Sequence, residues 1–409
     1  MNILYLTISE INDTDSRGIY NDLLRELARR GHNLYIATAA QRRTGERTRL
    51  IDGGPNCSIL KVRILNVTKC NIFEKGVAML TLARKYSAAI SHAWPDVKFD
   101  LILYATPPIT LNDVIVSEKK RTGARTYLML KDIFPQNAVD LGYFSASSVF
   151  YRMFRRKEKR LYRISDRIGC MSPANVSYLL AHNPDLSPAK VELCPNAVEL
   201  TPRREITAAE RASLLASIGV PADKVLSIYG GNLGRPQGVD FLLQTIESNE
   251  RRADSFFLIV GSGTEYPRLN RWFQTRRPKN AALLQSLPKA DFDRLLACAD
   301  IGLIFLDPRF TIPNYPSRLL GCLECALPVI AATDPVCDMG DIAEANGFGM
   351  KCLSGDIEEF DRKIGQLIAS PELRRSMGDN GRRFLEQNYT VDRVADIILE
   401  TKNNTNITL

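Results

Sequence analysis

Gly230, Gly231 and Gly234 stand between a short apolar run and an apolar pattern of helical period, in the stretch VLSIYGGNLGRPQGVDFLL from Val225 to Leu243. A strand, a glycine-rich turn and a helix start, in that order, aim backbone N–H groups at an anion. The glycines admit backbone angles that other residues avoid, and Arg235 adds a guanidinium fork beside the helix start. Holding a diphosphate is the chemistry such a turn could do. The same turn also serves as a plain strand-to-helix connection in a doubly wound sheet. Neither G-x-G-x-x-G nor G-x-x-x-x-G-K-[ST] occurs in this stretch, so neither the dinucleotide nor the P-loop fingerprint applies.

Further loops carry related chemistry. Gly261, Ser262 and Gly263 again place glycine at a helix start, and Ser286 and Leu287 lie in a short polar loop able to meet a base edge with backbone groups. A long irregular loop ends at Pro316, after which Ser317 is an expected N-cap and Arg318 a second phosphate-directed cation. Near the N-terminus, Ser16-Arg17-Gly18 precedes an amphipathic helix, so Gly18 is a candidate for another anion cradle.

The elements that would position these loops alternate strand and helix along the chain. Strand-like runs at Asn2–Thr7, Asn33–Ala39, Ser58–Leu65, Asp100–Ala105, Arg125–Leu130 and Arg167–Met171 are separated by helical patterns. After a linker-like stretch at Thr201–Ala209 the alternation restarts, with strands near Val225–Gly230, Phe256–Val260, Ala281–Leu284, Ile301–Phe305, Leu327–Ala331 and Gly349–Cys352. The pattern predicts two α/β domains with mainly parallel, doubly wound sheets, and ligands in the crevice at the carboxyl ends of the strands. The expected boundaries are 1–200 for an N-terminal Rossmann-like domain and 201–380 for a C-terminal one. Residues 381–409, with a helix over Arg382–Lys402, are expected to return to the first domain.

Composition bounds the class. With 409 residues, 45% hydrophobic and 24% charged, the chain suits a soluble globular protein, and no apolar run reaches membrane-spanning length. A formal net charge of +8 favours acidic partners. The nine cysteines lack framework spacing, as expected of reduced thiols, and Cys322-x-x-Cys325 reads as part of a buried helix. None of the three histidines stands with plausible metal ligands, so no metal site is expected. A helical pattern at Phe73–Trp94 reads as packed core or as an interfacial face. The helix at Tyr151–Arg167 carries Arg155, Arg156, Lys157, Lys159 and Arg160 among aromatics. It reads as a solvated face or as a contact with an anionic membrane surface; no nucleic-acid motif accompanies it.

Along essentially its whole length the chain resembles the family 4 glycosyltransferases of the GT-B fold. Within them it is most similar to the O-antigen and capsule branch typified by N-acetyl-L-fucosamine transferases (WbuB-like). The carrying stretches are GNLGRPQG at Gly231–Gly238, CPNAVEL at Cys194–Leu200, VGSGTE at Val260–Glu265, YPSRLLGCLECALPVIA at Tyr315–Ala331 and KDIFPQNAVDLG at Lys131–Gly142. The resemblance implies anomeric retention, no divalent metal and no cofactor, with a UDP-sugar as donor. The acceptor it implies is a lipid-linked (polyprenyl-diphosphate) glycan, met by a cytoplasmic protein peripheral to the inner face of the plasma membrane. The first domain would then bind acceptor and the second nucleotide sugar. Asp132, at a strand end, is the candidate for orienting or deprotonating the acceptor, or else a strand-end cap.

The chain also departs from that family. Asn232 and Gln237 stand where many members carry Arg and Lys, which shifts the expected charge onto Arg235 and Arg318. The paired glutamates of the family would fall at Pro313 and Gly321, and Glu324, one turn on, is a candidate substitute. The departing phosphate could itself take the acceptor proton, which makes the lost glutamate less damaging. The same losses motivate the alternative of a catalytically degenerate partner subunit that binds nucleotide sugar or glycan.

Overall fold

The computed structural model describes residues 1–67, 70 and 72–400, with the backbone alone at Ile72, Phe73 and Lys75. The chain divides into two compact units: Met1–Glu199 together with a last helix from Val391, and Leu200–Thr390.

The first unit runs β1 (Asn2–Leu6), α1 (Ile19–Arg29), β2 (Asn33–Gln41), β3 (Arg49–Asp52), β4 (Cys57–Ile64), α2 (Ile72–Ala93), β5 (Leu101–Ala105), α3 (Asn112–Thr122) and β6 (Arg125–Leu130). It continues with α4 (Gln136–Asp140), α5 (Val149–Ile164), β7 (Arg167–Cys170), α6 (Pro173–His182) and β8 (Val191–Leu193). The sheet order is β3-β4-β2-β1-β5-β6-β7-β8. All pairings are parallel except β3 with β4, a hairpin edge that the alternation of strands and helices did not announce. β5 is buried at every position, as a parallel strand covered on both faces must be, which is why LILYA reads as a continuous apolar run. α1 turns Leu23, Leu24 and Leu27 onto Ile3, Tyr5 and Ile36 of the sheet.

The second unit runs α7 (Ala208–Ser217), β9 (Val225–Asn232), α8 (Val239–Ser248), β10 (Ser255–Ser262), α9 (Tyr266–Arg276), β11 (Ala281–Gln285), α10 (Lys289–Leu296) and β12 (Ile301–Phe305). It is completed by α11 (Arg318–Glu324), β13 (Val329–Thr333), α12 (Met339–Ala345), β14 (Gly349–Leu353), α13 (Ile357–Ala369) and α14 (Pro371–Asn388). Its all-parallel sheet has the order β11-β10-β9-β12-β13-β14. Strand order reverses between β9 and β12, which makes the carboxyl ends of those two strands the switch point of the sheet.

The expected boundary at residue 381 moves to 391. Residue 381 lies inside α14, where Gly378 and Gly381 let the helix press on the backbone of Ala326 and on Leu323; a β-carbon at Gly378 would overlap the Ala326 carbonyl oxygen. The single helix expected over Arg382–Lys402 is two helices: α14 closes at Tyr389, and α15 (Val391–Leu399) begins where Val391 N–H donates to Val198 O at 3.2 Å. Val391, Val394, Ala395 and Ile398 of α15 are buried in the core of the first unit. Residues 401 and 402 of the expected helix lie outside the described residues.

Candidate active site

At the switch point of the second unit, two loops meet. Asp307 N–H donates to Pro236 O at 3.0 Å, and Gly238, in the left-handed region at φ 55°, has no room for a β-carbon beside Leu306 O. This contact places Arg318, the first residue of α11, against the glycine turn. Its guanidinium lies over the Tyr229 ring, 4.3 Å from the centroid, and Nη2 donates to Gln237 Oε1. Tyr229 OH donates to Asn232 O at 2.9 Å and lies 3.4 Å from Gln237 Oε1. Nη1 of Arg318 is enclosed and has no hydrogen-bond partner among the described residues, leaving one charged donor for an incoming acceptor.

The glycines have separable duties. Gly231, at φ 123°, is exposed, and the nearest atoms to an added β-carbon would be Cζ and Nη2 of Arg318, each 3.9 Å away. A β-carbon there would make only ordinary van der Waals contact, so the guanidinium flanks the exposed backbone of Gly231. Gly261 and Gly263 instead permit close packing, because a β-carbon at either would overlap Gly231 O or Leu233 O. Ser262, paired in register with Asn232, is exposed at the end of β10. The Asn232 amide sits between Gly234 and Gly263.

The other expected donor-binding residues have settings of their own. The side-chain carbonyl oxygen of Gln237 fixes Arg318. Ser317 occupies the N-cap position of α11, but its side chain makes no capping hydrogen bond. Arg235 is exposed in a single turn of 3₁₀ helix, near enough to help hold the Asp307 carboxyl below its ordinary value, behind the larger effect of the Arg309 hydrogen bonds. Pro316 is half-buried, its carbonyl accepting from Leu319 N–H at 3.3 Å. Ser286 and Leu287 are exposed between β11 and α10. Glu324 lies in the last turn of α11, and its backbone carbonyl accepts from Arg382 Nη1 at 3.2 Å. At Gly321 a β-carbon would come within 3.1 Å of Leu296 Cδ2, so α11 packs against α10 at the position where the family pattern places a carboxylate. Cys322 is buried and Cys325 half-buried; burial pushes both thiols up to about 12, which makes them inert.

In the first unit, Asp132 follows β6. Asn137 Nδ2 donates to both of its carboxylate oxygens, at 2.8 and 2.9 Å, and the Asp132 backbone is tied to the Thr106 hydroxyl. Desolvation dominates and raises the carboxyl from 3.8 to about 6, against the lowering effect of Asn137. The charge is felt across the loop: Tyr20, at the start of α1, is pushed up to about 12 by burial and by Asp132. Lys131 points away, its Nζ 3.4 Å from Cys194 O, and burial lowers it. Asp132 is therefore an oriented carboxyl whose burial holds it above the ordinary carboxylate range.

Gly18 is not an anion cradle. Its φ of 170° is ordinary extended backbone, and its N–H donates at 3.1 Å to Asp22 Oδ1, so the acid of the first turn already fills the helix start. Asp22 also accepts from Glu199 N–H at 3.1 Å and pairs with Arg25 at 2.8 Å. The five cations of α5 differ as well. Arg155 is committed to the fold, bonding Glu158, His182 O and Asn183; Arg160 pairs with Asp113 at 2.8 Å; Lys157 is half-buried; Arg156 and Lys159 are exposed.

Sequence reasoning missed Tyr229, Asn137 and Tyr20. Tyr229, one residue before the first glycine of the turn, carried a signal only in its place at the end of an apolar strand. Asn137 and Tyr20 carried none, because what each touches is decided by loop packing.

Comparison with known proteins agrees with these two units. Residues 20–201 match the model of Glycosyltransferase Family 4, and residues 210–384 that of Glycosyl transferases group 1. WbjE of Pseudomonas aeruginosa, described as a glycosyltransferase, is 23% identical over 79% of this chain and 78% of its own. WcaI of Escherichia coli K12, described as a colanic acid biosynthesis glycosyl transferase, is 23% identical over 66% of each chain. Among solved structures, sucrose-phosphate synthase from Thermosynechococcus elongatus superimposes with a TM-score of 0.75 at 16% identity over 96% of both chains. Anabaena HepE, in complex with UDP-glucose, does so with a TM-score of 0.69 at 14% identity over 98% of this chain and 99% of its own. This chain is a glycosyltransferase of the GT-B fold, a family 4 domain followed by a group 1 domain.

Proposed function

We propose that the protein transfers a sugar from a UDP-sugar to a hydroxyl of a lipid-diphosphate-linked glycan during assembly of a bacterial surface polysaccharide, with retention at the anomeric carbon and without a bound metal. The observation that carries this reading is the free Nη1 of Arg318, held by Tyr229 and Gln237 against the open backbone of Gly231. Cleavage of the bond from the anomeric carbon to the phosphate oxygen leaves charge on the diphosphate. A preorganised guanidinium and backbone dipoles stabilise that charge without reorganisation. As the acceptor oxygen bonds to the anomeric carbon, its proton passes to Asp132 or to the departing phosphate. The sugar is proposed to be an N-acetylated amino or deoxy sugar, and the acceptor to be met at an anionic membrane surface on the cytoplasmic side. Support comes from the names of relatives: HepE in complex with UDP and UDP-glucose, WcaI in colanic acid biosynthesis, and WaaG, similar with a TM-score of 0.64, in lipopolysaccharide biosynthesis.

The test is to incubate the pure protein with a panel of intact UDP-sugars and follow UDP release. One donor should be hydrolysed slowly, and Arg318→Ala should lower that rate by about 10²–10³-fold, as for loss of one charge-stabilising donor. Gln237→Leu, which frees the guanidinium to move, should cost less. Saturable UDP binding with no turnover of any donor would instead identify a degenerate binding subunit.

A further inference from the structure

α5 divides sharply by face. At 100° per residue, Phe154, Glu158, Leu161 and Tyr162 point inward, while Val149, Met153, Arg156, Arg160 and Arg163 share the outward side. The outward first turn is not polar. Val149 is 70% exposed, Phe150 64% and Met153 38%, and Tyr143, in the turn before the helix, is 58% exposed. Large apolar side chains gathered this densely on a surface mark an interaction site, whereas isolated ones need no explanation. Arg152 within this turn and Arg156 and Arg163 beyond it are exposed and make no ion pair among the described residues.

The patch is anchored to the loop that carries Asp132. Phe154 packs edge-on to Phe134 with centroids 5.0 Å apart and stacks on Phe144 at 6.3 Å, and Tyr151 OH donates to Gln136 Oε1 at 3.2 Å. Ser148 caps the helix through Tyr151 N–H, so the apolar turn is presented rigidly.

We propose that this outward face, Tyr143 and the first turns of α5, inserts shallowly into an anionic phospholipid bilayer. Val149, Phe150 and Met153 enter the headgroup–acyl boundary, while Arg152, Arg156 and Arg163 meet lipid phosphates. The choice of a membrane over a protein partner rests on charge complementarity: among the described residues Arg152, Arg156 and Arg163 flank an apolar tip without an ion pair, and the exposed Asp113 on that side is taken up by Arg160. The proposal deepens the reading of a lipid-linked acceptor, on which it rests, and places the Asp132 loop at the bilayer surface. It also changes the basis of attachment, because Arg155 belongs to the fold and apolar contacts share the binding with charge. Among the described residues no helix is long and apolar enough to cross a membrane, so the contact is interfacial.

Sedimentation of the full chain with vesicles of phosphatidylglycerol in phosphatidylcholine, against phosphatidylcholine alone, tests it. Binding should require the anionic lipid. Val149→Asp with Phe150→Asp should weaken it by roughly tenfold or more, as expected when apolar burial is lost. Arg152→Gln with Arg156→Gln should weaken it at low salt and flatten its salt dependence. Leu50→Asp, on the far edge strand β3, should change nothing. Phe150→Trp should show a blue-shifted emission on adding vesicles, a signal that bulk electrostatic attraction does not give. Unshifted emission, or binding indifferent to the aspartate pair, overturns insertion. So does a concentration-dependent dimer that the aspartate pair dissolves, which would make the occupant a second copy. Donor hydrolysis without vesicle binding would sink this surface and leave the transferase standing. Vesicle binding without turnover of any donor would do the reverse.

Discussion

Asp132 shows how one side chain can be read at the level of its own chemistry. Its carboxyl is raised to about 6 because the cost of desolvation exceeds what two hydrogen bonds from Asn137 return. Two consequences follow with opposite signs. Activity that needs the carboxylate should rise through pH 6 and reach its plateau above it, and Asp132→Asn should abolish that limb if the carboxylate takes the acceptor proton. Stability runs the other way. A carboxyl with a raised folded pKa adds stability in its protonated form, most fully below the ordinary 3.8, and loses it as pH climbs to about 6. Asp132→Asn should therefore raise stability at pH 8, by up to about 3 kcal/mol, and leave it little changed at pH 4. Urea unfolding at the two pH values checks this; equal effects at both would mean that the carboxyl is not desolvated. The amide keeps an oxygen for Asn137, so the variant tests charge more than packing.

At the scale of elements, the short break between α14 and α15 decides which unit owns the chain's end. Gly378 and Gly381 hold α14 to the second unit, while α15 seals the first with Val391, Val394, Ala395 and Ile398 and with the Arg30–Asp396 pair at 2.5 Å. Ile398→Ala, removing a fully buried side chain, should destabilise the first unit by about 2–5 kcal/mol. UDP affinity, a property of the second unit, should be unchanged. Calorimetry with and without UDP reads both quantities, and a matched loss of UDP binding would show that α15 acts beyond its own core. Arg318 is positioned at this scale too: the loops after β9 and β12 meet because strand order reverses there, and Gln237 and Tyr229 convert that meeting into a fixed guanidinium.

For the whole molecule, the donor reading carries a linkage consequence. A ligand bound by the folded state alone stabilises it by about 2.7 kcal/mol at a hundredfold excess over its dissociation constant. UDP should therefore raise the melting temperature of the full chain, Arg318→Ala should erase most of the rise, and EDTA should leave it intact. A rise that chelation removes would contradict metal-independent binding. The alternation of apolar strand and helical period was enough to read a two-domain parallel α/β architecture, because strands covered on both faces and helices covered on one leave different periodicities in the chain. The glycine turn and Arg318 were legible for the same reason, as local patterns tied to strand ends. Other features depended on tertiary structure. Whether Gly18 faces a ligand depended on Asp22 and Glu199, which are brought together from 177 residues apart. That Gln237 holds Arg318 was set across 81 residues, and which cations of α5 are free was set by Asp113, His182 and Asn183. Periodicity and turn chemistry are properties of neighbours along the chain and survive in the sequence. The partner of a polar side chain is a property of neighbours in space, and only packing chooses it.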